Sequence, residues 1–577
     1  MNAKRLLQSV REYTGASIRT PLYVSLEVVM EVVIPLLMAR LIDLGIDAGS
    51  MPEILRYGLA LVLSCVISLA FGALSGRNAA IASAGFAKNL RQDMYHNVQG
   101  FSFANIDKFS TASLVTRLTT DVSNVQNAYQ MIIRIAVRSP MMLVFAMIMS
   151  FTVNARLALI FLCAAPFLGL GLYIIIKNAH PIFERVFKTY DKLNRVVQEN
   201  LRGVRVVKSF VREDYEIDKF EDVSGGIYRD FKRAEHLLAF NSPLMQTVAY
   251  TSMLLVSWLG ARMIVGGDMT TGMLMSLISY ASQILMSLMM LSMVFVMITI
   301  SRASMERIVE VLEEKSDLTD GDKAIDTVRD GSVRFEHVGF SYAKDAERLC
   351  LTDVDLNIQS GETVGILGET GSGKSTLVQL IARLYDATTG RVLVGGVDVR
   401  DYKLDALRNA VAMVLQKNEL FAGTIKDNLR WGDEHATDEQ LVHACVLAQA
   451  DPFIREFPDG YDTMIEQGGT NVSGGQKQRL CIARALLMKP KILILDDSTS
   501  AVDTKTDAMI RKAFREEIPA TTKFIIAQRI ASVQDADKII VMDGGRVRDF
   551  GTHDELMARS EIYREVYESQ TRGGDAE

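Results

Sequence analysis

At 577 residues the chain exceeds one ordinary hydrophobic core and predicts two or more structural units. Hydrophobic residues make up 49% and mean hydropathy is +0.15, a balance that fits one apolar half joined to one soluble half. A net charge of -6 and a pI near 5.8 argue against a general nucleic-acid binder.

In chain order, the start, Met1-Asn2-Ala3-Lys4-Arg5, carries no cleavable signal pattern. Residues 3–14 predict a short amphipathic helix bearing Lys4, Arg5 and Arg11, expected at the inner membrane surface. Six apolar runs follow, near 20–42, 57–85, 131–152, 157–176, 238–265 and 271–300. Each reaches the ~20 residues that a spanning helix needs. The third and fourth are separated only by Val153-Asn154-Ala155-Arg156, a hairpin connection. Long charged helical stretches separate the second from the third and the fourth from the fifth, and they hold most of the basic residues, including Lys88, Arg117, Arg185 and Arg205. The short loops near 43–56 and 266–270 carry Asp43, Asp47, Glu53 and Asp268 instead. Positive-inside asymmetry therefore predicts a multi-pass protein of the cytoplasmic membrane with both termini and both long loops in the cytoplasm.

Two features inside the spans invite a substrate reading. Glu27 and Glu31 lie one turn apart and share a face. They either line a cavity that attracts cationic substrates or form a buried pair satisfied by Arg40, Arg77, Arg134 or Arg138; the second is favoured because bundle interiors pair such groups. Met286, Met290, Met293 and Met297 repeat at helical spacing, a stripe that either fills gaps between helices or offers a polarisable surface to many ligands. Together they point to a permissive pocket for amphipathic cations. None of the five cysteines, Cys65, Cys163, Cys350, Cys445 and Cys481, has a paired or metal-type spacing, so neither a disulfide framework nor a zinc site is expected.

Residues 1–320 are thus expected to form the transmembrane domain and 321–330 a linker, with 331–577 a separate α/β domain of strands alternating with helices over a parallel core. Within it, Gly368-Glu369-Thr370-Gly371-Ser372-Gly373-Lys374-Ser375 follows the apolar run Thr363-Val364-Gly365-Ile366-Leu367 and leads into a helix opened by Thr376. Strand, glycine-rich turn and helix are the context in which a phosphate-binding loop is credible. Backbone N–H groups converge on phosphate oxygens and the helix dipole adds positive potential. Lys374 supplies a point charge and Ser375 a hydroxyl ligand for Mg²⁺. These residues predict binding of a nucleoside triphosphate.

Six spans followed by this loop, with further motifs in a set order, resemble a half-transporter of the ATP-binding-cassette exporter family over nearly the whole chain. The resemblance implies ATP and Mg²⁺ as cofactors, membrane lipid and a second half-transporter as partners. It implies that Tyr342, in Phe340-Ser341-Tyr342, stacks on adenine, and that Gln416 reaches Mg²⁺ and the attacking water. Asn471-Val472-Ser473-Gly474-Gly475-Gln476 matches the family signature, with Val472 for the usual Leu, and would clamp a phosphate bound by another nucleotide domain. Asp496, ending Lys491-Ile492-Leu493-Ile494-Leu495-Asp496, would hold Mg²⁺ through water. Ser500-Ala501-Val502-Asp503 resembles the loop that touches the partner. Phe109 through Asp121, and Glu199 through Glu213, would include the short helices that seat on the nucleotide domains.

Two positions depart from the family pattern. Asp497 stands where a glutamate orients or deprotonates the attacking water, and Gln528 where a histidine is expected; His553 lies beyond the final strand. A base must come within roughly 2.6–3.2 Å of its proton, directly or through a water, and ~1 Å of misplacement can cost on the order of a hundredfold. Glutamine can donate a hydrogen bond but carries no charge. The expectation is an ATP-driven exporter of amphipathic small molecules, in which this chain carries the slow ATP site of a heterodimer and a different chain supplies the missing Glu and His. A lipid or peptide exporter subunit, a homodimer, and an ATP-binding regulatory subunit of a channel are the alternatives.

Overall fold

The computed structural model describes residues 3–321, 324–343, 349–497 and 502–574. It divides into two compact units, Met1–Gln99 with Thr111–Glu314, and Gly100–Ser110 with Lys315–Glu577.

In the first unit six helices are long and apolar enough to cross a membrane: Lys4–Ile46, Met51–Gln99, Thr111–Val153, Ala155–Ser209, Glu213–Val265 and Thr271–Glu313. Each overruns its apolar run, because the charged stretches between runs continue the same helices; Ala155–Ser209 is 55 residues long. The first and sixth spans meet through Val24, Val28 and Val32 against Leu277, Tyr280 and Ile284. Tyr280 buries its ring there and donates its hydroxyl to the Val32 carbonyl at 2.8 Å, which satisfies the one polar atom it carries inward. At one end of these helices Asp43 accepts from the Gly272 amide at 2.8 Å and the Thr270 hydroxyl at 2.6 Å.

Residues 3–14 depart from the expected single amphipathic helix. The helix Ala3–Leu7 passes into a tighter turn, Gln8–Tyr13, that kinks at Arg11 with φ 41°. Long-range bonds override local helix preference here: Ser9 and Arg11 both reach Asp93 on the second span, at 2.7 and 2.5 Å.

The second unit holds three sheets. β1 (Val333–Phe340), β2 (Leu351–Ile358), β4 (Thr389–Val394) and β5 (Val397–Asp398) form an antiparallel sheet in the order β2-β1-β4-β5. β3 (Thr363–Gly368), β6 (Val411–Val414), β9 (Ile492–Asp496), β10 (Thr522–Ile526), β11 (Lys538–Asp543) and β12 (Arg546–Gly551) form the central sheet, ordered β12-β11-β3-β10-β9-β6. It is parallel except for β12. A third, of β7 (Gly423–Thr424) and β8 (Met464–Ile465), is a two-stranded ribbon. Ile492, Leu493, Ile494 and Leu495 run without alternation because both faces of a parallel strand are covered, and all four are buried.

Candidate functional site

The site forms at the carboxyl ends of β3, β9 and β10, where parallel α/β sheets open to ligands. β3 ends at Gly368, whose φ of 152° and proximity to the Met542 carbonyl (2.3 Å from where a Cβ would sit) admit no side chain. Gly373, at φ 95°, turns the chain into the helix Lys374–Ile381. Between them, Glu369, Thr370, Gly371 and Ser372 make the loop, closed by a Ser372 amide to Glu369 carbonyl bond of 3.2 Å. The Ser372 hydroxyl is buried and, among the described residues, has no hydrogen-bond partner, an orphan donor inside the loop that a phosphate oxygen would satisfy. Lys374 lies across the loop, its Nζ donating to the carbonyls of Gly368 and Glu369 at 2.8 and 2.7 Å. Burial draws its pKa below the usual lysine value, against the opposing pull of Asp496 and Asp497. Such a partly desolvated ammonium, held on carbonyls alone, is poised to take an anionic partner.

Ser375 donates to Asp496 at 3.0 Å, so the two expected Mg²⁺ ligands stand side by side. Burial raises the Asp496 pKa, and neighbouring Asp497 adds to the rise. A divalent ion fits this donor pair, a hydroxyl and a carboxylate oxygen that would otherwise be costly to bury. Gln416 is exposed two residues beyond β6, which pairs with β9 through Val414 and Leu495, and so lies at the same edge of the sheet.

Tyr342 is half exposed and meets Phe340 and Tyr385 edge-on, at centroid distances of 4.8 and 5.2 Å. Its hydroxyl lies 3.0 Å from that of buried Thr376 and 3.3 Å from the Gln379 amide oxygen. Sequence patterns did not single out Tyr385. It carries no motif, and its importance comes from packing alone: Phe103 sits 6.1 Å away, and Asp107 accepts its hydroxyl at 2.7 Å. The short helix Phe103–Lys108, capped by a reciprocal Ser102–Asn105 bond pair, is therefore the first-loop element seated on the nucleotide unit. It precedes the stretch Phe109–Asp121 expected to contain it, while Glu199 through Glu213 belongs wholly to the membrane unit.

The two departures from the family pattern touch each other. Asp497 sits just past β9 with φ 47°, its amide bonded to the Ile526 carbonyl at 3.1 Å. Its carboxylate accepts the side-chain amide of Gln528 at 2.9 Å. Gln570, from the last helix, Glu561–Gly574, receives the Ile530 amide and donates to the Gln528 carbonyl, each at 2.8 Å, and so pins that loop.

Ser473, Gly474, Gly475 and Gln476 open the helix Gly474–Leu487, where Ser473 and Gln476 cap each other. Among the described residues no hydrogen bond joins 471–476 to 368–376. Asp503 caps the helix Thr504–Glu517 by accepting the Thr506 amide at 2.9 Å, a bond that lowers its pKa. Ser500 and Ala501 lie outside the described residues.

In the membrane unit, Arg138 engages both carboxylates, Glu27 through one oxygen and Glu31 through two, the latter at 2.7 Å. Glu31, Met286 and Met290 line a cavity of about 370 Å³, whereas Glu27 stands buried behind it and Met293 is exposed outside it.

Residues 23–306 match the ABC transporter transmembrane region and residues 351–500 the ABC transporter domain. The uncharacterized ABC transporter ATP-binding protein YfiB of Bacillus subtilis is 36% identical over 544 residues, 94% of each chain. A fatty acid ABC transporter ATP-binding/permease protein of Mycobacterium tuberculosis is 32% identical over 522 residues, 90% of this chain and 82% of that one. The solved structure of a bacterial Atm1-family ABC exporter with ATP bound superposes with a TM-score of 0.82 at 24% identity, covering 97% of this chain and 98% of the other, which shows the common fold. The chain belongs to the ABC transporter family, a half-transporter that joins one transmembrane region to one ATPase domain.

Proposed function

We propose that this chain exports amphipathic small molecules across the cytoplasmic membrane as the half of a heterodimer that holds ATP and turns it over slowly. The observation that supports the reading is the bond from Gln528 to Asp497. An aspartate one methylene short of the expected glutamate must reach further to a water, and here its oxygen already accepts an amide hydrogen. Gln528 brings no charge to a γ-phosphate. The residues that would hold the nucleotide support the reading by their chemistry: the Ser372 hydroxyl and Lys374 toward phosphates, Ser375 and Asp496 toward Mg²⁺, and Tyr342 toward the base. Bound Mg²⁺ would neutralise charge on the phosphoryl oxygens. Among the described residues Ser473 through Gln476 have no bond to the chain's own phosphate loop, and they would serve the loop of a companion subunit carrying Glu and His.

Steady-state ATPase of the purified chain tests this. Little turnover alone is expected, with a rise in the assembled complex on replacing Asp497→Glu together with Gln528→His. Brisk hydrolysis by the isolated chain as a symmetric pair would overturn the heterodimer reading. A lipid cargo is the second reading, favoured by the relative named for fatty acid. ATP-dependent uphill accumulation in inverted vesicles separates either pump from a channel regulator, whose flux runs only downhill.

A further inference from the structure

The cavity between the first, third and sixth spans is lined by two guanidinium groups, Arg134 and Arg138, against one carboxylate, Glu31. Arg134 and Arg138 are one turn apart on the third span and share a face. Their situations differ. Arg138 is paired with both Glu27 and Glu31. Among the described residues, Arg134 has no carboxylate within ion-pair distance and no hydrogen-bond partner, although it is half-buried. A second polar atom is also unmet: the Gln283 Oε1 on the same wall is buried with no donor, while its Nε2 leans on the Glu31 carbonyl at 3.4 Å. Met142, Met286 and Met290 add flexible apolar side chains to the lining, beside Ile135, Ser139 and Ser287.

A guanidinium within a membrane span is expensive unless it is paired, and among the described residues no carboxylate pairs that of Arg134. The carboxylate in the lining, Glu31, already has both oxygens on Arg138. We propose that this cavity receives the anionic head of an amphipathic molecule, with Arg134 as its ion partner, Gln283 accepting a hydroxyl or amide hydrogen where the head carries one, and the methionines packing the start of the apolar tail. This reverses the charge preference expected from Glu27 and Glu31 in the sequence. The inference rests on the reading of the chain as a transporter subunit, and it is tested by equilibrium binding without nucleotide, so the outcome does not depend on which ATP site hydrolyses.

The experiment uses the full-length chain in phosphatidylcholine nanodiscs with two radiolabelled probes of equal chain length, dodecanoate and dodecyltrimethylammonium. Dodecanoate is expected to bind about tenfold tighter than the cation, and Arg134→Gln to lose about tenfold of that affinity, a change of ~1.4 kcal/mol. Arg134→Lys, which keeps the charge, is expected to hold dodecanoate within a few-fold, and the melting temperatures of both variants report that the fold is intact. Equal or tighter binding of the cation, full dodecanoate affinity in Arg134→Gln, or equal losses in the Gln and Lys variants would each overturn the proposal. Adding phosphatidylglycerol to the disc distinguishes two sources of the same chemistry: competition with dodecanoate assigns the site to a phospholipid head, and its absence to a single-chain anion, either supporting an anionic ligand.

Discussion

Tyr385 donates its hydroxyl to Asp107, tying the short helix Phe103–Lys108 to the same aromatic cluster that contains Tyr342. Burial and the carboxylate together hold the Tyr385 phenol well above its ordinary pKa, so it stays a donor throughout the physiological range. Tyr342, proposed to take the nucleotide base, meets Tyr385 edge-on, and Tyr385 meets Phe103.

The first prediction follows from that contact. Tyr385→Phe keeps the rings and deletes the bond, which is worth about 1 kcal/mol at a solvent-accessible site. Hydrogen exchange of the amides in 103–108 should quicken by roughly fivefold, while ATP affinity stays unchanged because Phe preserves the edge contact with Tyr342. Unchanged protection of 103–108 would show that Phe103 alone seats the helix.

Gln570 bonds the Gln528 loop at two points, the Gln528 carbonyl and the Ile530 amide. Gln570→Ala removes both, about 1 kcal/mol each. Exchange of the amides in 528–532 should rise by about tenfold or more, with little shift in the overall melting temperature. If protection there survives, the loop is held by Ile530 and Ser532 burial instead.

His337 sits at φ 48° on β1 with its Nδ1 2.9 Å from Asp353 and 3.0 Å from Asp355. The bond to Asp353, then the charge of Asp355, raise its pKa above the ordinary 6.5. The folded state therefore favours the protonated ring: its stabilising contribution is full below 6.5 and disappears as pH climbs through the raised folded value. An NMR titration of histidine-labelled protein should place the His337 midpoint above 6.5, and Asp353→Asn should bring it back toward that value. A midpoint at or below 6.5 in the native chain would contradict the geometry.

Much of the site was legible in the residues because phosphate chemistry is local. Gly368 through Ser375 form one unbroken stretch of eight residues, as convergence of backbone amides requires, and Asp496 ends the apolar strand that brings it to Ser375. The six spans were legible for a similar reason, since hydrocarbon demands uninterrupted apolar length. The N-terminal helix was misjudged at Arg11, where bonds to Asp93, far along the chain, outweigh propensity over a few residues.

Sequence by itself determined the class of molecule, the nucleotide motifs and the two altered positions, because each is a property of neighbours along the chain. Only the tertiary structure decided which of four arginines takes Glu27 and Glu31, that Gln528 reaches Asp497, and that Tyr385 holds Asp107. It likewise decided that, among the described residues, Arg134 lines the cavity without a carboxylate partner. Those pairings depend on which faces of distant helices and strands are pressed together, and packing settles that across separations that no local pattern spans.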